Sequence, residues 1–122
     1  MEMSPKYAAE TAGELAQHGY TCEQSEEERR DGDVLRFKAT RYALTAPRQR
    51  LIMEVVSYPD GDTRYFLEIA EYHGLSSFSL ELDSWKYRDD YIEFRYYTNP
   101  ETGSALTLKI SYPSVSSAVA TN

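Results

Sequence analysis

RLIMEVVSYPDGDTRYFLEIAEYHGLSSFSLELDSWKYRDDYIEFRYYTNPETGSALTLKISY, residues 50–112, alternates apolar and polar positions between turn residues. If the run at 51–58 is extended, Leu51, Met53 and Val55 share one face and Glu54 points to the other. Tyr65, Leu67 and Ile69 then alternate with Arg64, Phe66 and Glu68. Successive strand side chains point to opposite faces, so this period marks half-buried strands. Between the two runs stands Pro59-Asp60-Gly61-Asp62, whose Asp-Gly pair is a hairpin signal because glycine accepts a positive φ.

The pattern repeats downstream. Phe78, Leu80 and Leu82 alternate with Ser79, Glu81 and Asp83, and Ile92, Phe94 and Tyr96 with Tyr91, Glu93 and Arg95. After the turn residues Asn99 to Gly103, Leu106, Leu108 and Ile110 alternate with Thr107 and Lys109. Each run keeps a polar face, as antiparallel strands do, and the connections are too short for parallel crossovers. The stretch predicts a meander.

Upstream, residues 20–29 alternate weakly and then become charged, Asp31-Gly32-Asp33 makes a second turn, and residues 34–44 place Leu35, Phe37 and Ala39 opposite Arg36, Lys38, Thr40 and Tyr42. This predicts a first hairpin whose opening strand is polar and frayed. Ser4-Pro5 is a helix start. A helix is expected over residues 6–18, with Tyr7, Ala8, Thr11, Ala12, Leu15 and Ala16 on its apolar stripe and Gly19 ending it. The predicted fold is α+β: one N-terminal helix packed on six or seven mostly sequential antiparallel strands, strongly curled or closing towards a barrel. In shape alone this resembles the cystatin arrangement of a helix gripped by a sheet; no residues carry a family resemblance. Residues 1–113 form a single domain, and the unpatterned residues 114–122 are expected to be a disordered tail.

The chain has 122 residues, net charge −7 and eleven tyrosines. No apolar run is long enough to span a membrane, and the N-terminus lacks a signal-peptide layout, so a cytoplasmic protein is expected. Cys22, the single cysteine, excludes an internal disulfide and reads either as a small buried residue or as a reactive thiol. Charge is segmented: residues 1–28 carry −6, residues 29–50 carry +5 and residues 51–122 carry −6. The basic segment is either an arginine patch for an acidic partner or a set of cross-strand ion pairs. The acidic total argues against direct nucleic-acid binding.

No catalytic, metal or nucleotide-binding signature emerges. His18 and Cys22 lack further ligands for zinc, and the two Asp-Gly-Asp turns are too short for a calcium loop. His73 near Ser76 and Ser77 lacks the surroundings of an activated nucleophile. Glu54, Glu68 and Glu93 alternate with arginines and read as a solvated ladder. No cofactor is expected.

The interface-like feature is aromatic and cationic: Trp85, Tyr87 and Arg88 close in sequence, with Tyr91, Arg95 and Tyr97 on the strand that follows. Trp, Tyr and Arg dominate binding hot spots, although Trp85 and Tyr87 could equally cap the core. The expected function is non-enzymatic protein binding, of the inhibitor, antagonist or immunity type, against a partner such as a nucleic-acid-binding protein or a toxin. One alternative is a small-ligand or enzyme pocket between helix and sheet lined by Tyr7, Tyr20, Phe37 and Tyr65. Another is a secretion-chaperone-like adaptor. An exposed edge at residues 20–29 or 106–112 offers a route to a homodimer.

Overall fold

The computed structural model describes residues 4–70 and 78–113. One helix, α1 (Pro5–Ala16), precedes seven strands: β1 (Thr21–Asp31), β2 (Val34–Ala46), β3 (Gln49–Ser57), β4 (Thr63–Ala70), β5 (Phe78–Tyr87), β6 (Tyr91–Asn99) and β7 (Ser104–Ser111). Each strand pairs antiparallel with the next, so the sheet order is the chain order. The expected α+β meander is present. It is not a barrel: β1 and β7 are the two edges of an open sheet. The sheet curls nonetheless. Gln49, at the start of β3, donates through Nε2 to the Ser111 carbonyl at 3.3 Å, and the His18 ring stacks on Tyr112 with centroids 4.3 Å apart. The start of β1 and the end of β7 therefore lie near one another beneath the end of α1.

Ser4 opens the helix. Its extended backbone lets Oγ accept from the Tyr7 amide at 3.1 Å, and Pro5 follows where no amide is needed. Ser4→Ala is expected to cost about 1 kcal/mol of unfolding free energy, read by chemical denaturation. The helix ends at Ala16, two residues before the expected His18, and Gly19 (φ +100°) turns the chain into β1. The buried stripe is Tyr7, Ala8, Thr11, Ala12 and Leu15; Ala16 is exposed. Its small residues let the helix sit close to the strands.

The inner face of the sheet carries the core: Tyr42, Leu44, Leu51, Met53, Val55, Tyr65, Leu67, Ile69, Leu82, Ile92, Phe94 and Ile110 are all buried in one cluster with the helix. The register explains the set, since Met53 lies opposite both Tyr42 and Leu67, and Ile92 opposite Ile110. In β2 this places Tyr42 inward. Phe37 and Ala39 belong to the other face, where Phe37 meets Tyr58 edge-on at 6.4 Å. The four residues expected to line a pocket therefore do not. Phe37 faces away from the helix, and the other three fill space: the Tyr7 hydroxyl donates to the Trp85 carbonyl at 3.2 Å, the Tyr20 hydroxyl donates to Gln49, and Tyr65 packs edge-on against Trp85.

Two further differences from the sequence reading have local causes. β1 is not frayed; all eleven residues belong to the strand and pair along β2 with one register shift at Arg29/Arg30. Ladder hydrogen bonds are made by the main chain and do not require apolar side chains. Cys22 on this strand is exposed, not buried. In β5 a bulge falls between Leu82 and Ser84. The extra residue reverses the alternation, so Leu82 and Trp85 both face inward. The expected tail at residues 114–122 and the histidine–serine stretch at 73–77 lie outside the described residues.

Candidate functional site

The outer face of the sheet carries matched charges around a few buried apolar residues, Ala39, Ile52 and Val56. Arg41 reaches Glu54 at 3.7 Å and Glu68 at 3.8 Å, and Arg64 holds Glu81 through two nitrogens at 2.8 and 3.1 Å. Lys86 pairs with Glu93 at 3.2 Å. At the bulge, Asp83 receives both the Arg95 guanidinium at 3.3 Å and the Tyr97 hydroxyl at 2.8 Å. That hydrogen bond holds the Tyr97 phenol protonated above its ordinary range. Two of the expected contact residues, Arg95 and Tyr97, are thus engaged within the sheet. The basic segment follows the cross-strand pattern too, with Arg36 on Asp31 at 2.8 Å and Lys38 on Glu28 at 3.4 Å. Arg29, Arg48 and Arg50 form no ion pair among the described residues.

Trp85 is 3% exposed and belongs to the core. Its indole stacks on Tyr7 at 5.2 Å, and its Nε1 donates to Thr11 Oγ1 at 2.8 Å. Tyr87 is half-buried on the other side of Tyr7, at 6.1 Å. Burial raises the Tyr7 phenol above its ordinary value. The Asp83 bulge is the reason these two rings face the helix instead of the outer surface.

What gathers the remaining expected residues is an open cleft of about 420 Å³, between the helix and the β5–β6 turn. Tyr87, Arg88 and Tyr91 line it together with Glu14, Asp89 and Asp90. The lining thus combines three carboxylates, two phenol rings and one guanidinium. Lys109 stands over the Tyr91 ring at 4.4 Å, so that ring already seats a cation. The turn is held from both sides. The Arg88 amide donates to the Tyr91 carbonyl at 2.8 Å and the Tyr112 amide to the Asp90 carbonyl at 3.1 Å. The Tyr112 hydroxyl donates to the Arg88 carbonyl at 2.8 Å.

Tyr112 also reports the local charge. Its side chain is fully buried, and burial, followed by the charges of Glu14, Asp90 and Asp89, pushes its phenol up to about 12. His18 stacks on Tyr112 and lies 3.3 Å from Glu14 Oε1. The turn that lines the cleft is therefore held in place, and three of its six lining residues are carboxylates.

Glu14, Asp89 and Asp90 were not legible as site residues. Asp89-Asp90 reads as loop chemistry, and Glu14 lies off the apolar stripe of a helix seventy-odd positions away. Only the curl of the sheet brings them together. Among the described residues no cluster of three potential metal ligands occurs, and no helix is long and apolar enough to cross a membrane. No protein-family model, curated protein or solved structure matches the chain.

Proposed function

We propose that this chain is a non-enzymatic protein-binding domain that acts by covering a partner's surface, in the manner of an inhibitor or antagonist, and that it seats a lysine or arginine side chain of that partner in the cleft. The supporting observation is the cleft itself, in which Glu14, Asp89 and Asp90 outnumber the one cation, Arg88, and the rings of Tyr87 and Tyr91 complete the lining. Carboxylates attract the cationic head, and phenol rings accept its face and its methylene stem. The pinned turn lowers the cost of ordering the site on binding. The interior between helix and sheet is filled by Tyr7, Leu15, Tyr65 and Trp85, which favours recognition at the surface over a ligand enclosed in the core. An exposed thiol at Cys22 suits a reducing, cytoplasmic setting.

Peptides selected from a random displayed library on the immobilised protein are expected to be enriched in Lys and Arg. Asp89→Asn combined with Asp90→Asn should weaken the selected peptides about five- to thirtyfold, from roughly 0.5–1 kcal/mol for each partly exposed charge removed. Amide resonances of Glu14 and of residues 88–91 should move on titration. Selection without basic enrichment, or affinity indifferent to the double variant, would remove the cleft as the binding site.

A further inference from the structure

Carboxylates in this sheet follow a rule. On β3 to β6, Glu54, Glu68, Glu81, Asp83 and Glu93 each have a lysine or arginine from another strand within 4 Å. The rule stops at β1. Its Glu28 pairs with Lys38 and its Asp31 with Arg36, but Glu23, Glu26 and Glu27 stand opposite Ala43, Thr40 and Ala39 and have no cation among the described residues. β1 is also the terminal strand, and each of its eleven residues is exposed. At about 3.3 Å per residue, it offers an edge of about 36 Å whose outward main-chain donors and acceptors meet no strand among the described residues.

We infer that β1 is a docking edge for an extended, basic segment of another protein, which adds an eighth antiparallel strand and supplies the missing cations. The segments of this sequence outside the described residues do not supply those cations. Residues 1–3, 71–77 and 114–122 contain no lysine or arginine. A second copy is also a poor match. Pairing β1 with itself with Glu28 on the symmetry axis would set Glu27 against Arg29 and Glu26 against Arg30, but would also set Glu28 against Glu28 and run into the register shift at Arg29/Arg30. In that register Glu28 repels its own copy, whereas a basic strand meets Glu23, Glu26 and Glu27 without such a clash.

The register specifies the guest. Glu23 and Glu27 share the outer face with Ala43 and Ala39, and Glu26 lies on the inner face with Thr40. An antiparallel guest therefore places cations opposite Glu27, Glu26 and Glu23 in its own chain direction, which spells Lys-Lys-x-x-Lys. Main-chain pairing supplies affinity and the charges supply register. This edge is separate from the cleft, and the two are read out by different resonances and different variants.

The probe is the blocked peptide Thr-Lys-Lys-Val-Thr-Lys-Thr, with a control carrying glutamate at the three lysine positions, titrated into the isotope-labelled chain at low salt. Binding of the lysine peptide is expected to move the amides of Thr21–Asp31 and to slow exchange at alternate β1 amides at least tenfold. Glu23→Gln, Glu26→Gln and Glu27→Gln together, all at exposed positions, should weaken it at least tenfold, and added salt should weaken it further. The Asp89→Asn, Asp90→Asn variant should leave it unchanged. Four results would overturn the inference: no binding, equal binding of the glutamate peptide, binding that leaves β1 exchange rates untouched, or sedimentation showing that the chain alone already dimerises with its β1 amides protected.

Discussion

Trp85→Ala is expected to destabilise the fold by about 3–5 kcal/mol, the range for removing a large buried aromatic side chain. Small domains are held by about 5–15 kcal/mol in total, so this one change would leave little of the folded population's margin. Three losses combine. The indole is 3% exposed and fills the space between the helix and β5, so truncation opens a cavity. Tyr7 loses its stacking partner at 5.2 Å and Tyr65 its edge-on contact at 5.7 Å. Thr11, fully buried, loses the Nε1 donor to its Oγ1 and keeps its bond to the Tyr7 carbonyl at 2.9 Å. Trp85→Phe separates these terms. It retains a ring against Tyr7 and removes the Thr11 bond, and it should cost about 1–3 kcal/mol. Urea denaturation of the three proteins, followed by circular dichroism, gives the comparison. If Trp85→Ala unfolds within 1 kcal/mol of the parent, Trp85 is not the hinge between helix and sheet. The same expectation governs binding experiments: loss of a partner in Trp85→Ala reports unfolding, whereas Asp89→Asn and Asp90→Asn change the cleft at exposed positions.

The strands were legible because a two-residue period survives in the sequence wherever one face is buried. Tyr65, Leu67 and Ile69 alternate in sequence and are buried in the structure. The turn at Asp60-Gly61 was legible for a similar reason, since Gly61 adopts φ +92°. What was not legible depends on register and curl. The bulge between Leu82 and Ser84 carries no sequence mark, yet it decides that Trp85 faces the helix. In β2 the inward choice of Tyr42 over Phe37 is set by pairing with Met53, not by hydrophobicity. The cleft is less legible still. Glu14, Arg88 and Tyr91 meet only because seven twisted strands return the chain to the end of the helix, and no local pattern records that return. The unmatched glutamates of β1 stand between: their acidity is plain in the sequence, but their lack of cations appears only once every other strand has been paired.

Tyr112→Ala is the second large effect, expected at about 3–5 kcal/mol, because it empties a fully buried site at the point where β7 closes against the β5–β6 turn. Tyr112→Phe isolates the hydroxyl. It keeps the ring stacked on His18 and removes the bond to the Arg88 carbonyl, at a cost of about 1 kcal/mol near neutral pH. The pH dependence of that difference has a definite sign. The phenol is raised to about 12 in the folded protein, against about 10 in an unfolded chain. The folded state therefore holds its proton more tightly. The stabilisation is complete below pH 10 and is lost as pH rises from 10 towards 12. Phenylalanine has no proton to lose, so the parent's advantage over Tyr112→Phe should shrink across this window, while other buried tyrosines such as Tyr42 and Tyr65, also raised by burial, weaken both proteins alike. Denaturation midpoints of the pair at pH 8, 10 and 11.5 test this. A difference that stays constant would mean that the hydroxyl is open to water and does not hold the turn. Cleft binding supplies the independent check. With Tyr112→Phe the Arg88 carbonyl is released on one side of the turn, so Lys- and Arg-bearing peptides should bind more weakly even where the variant is fully folded.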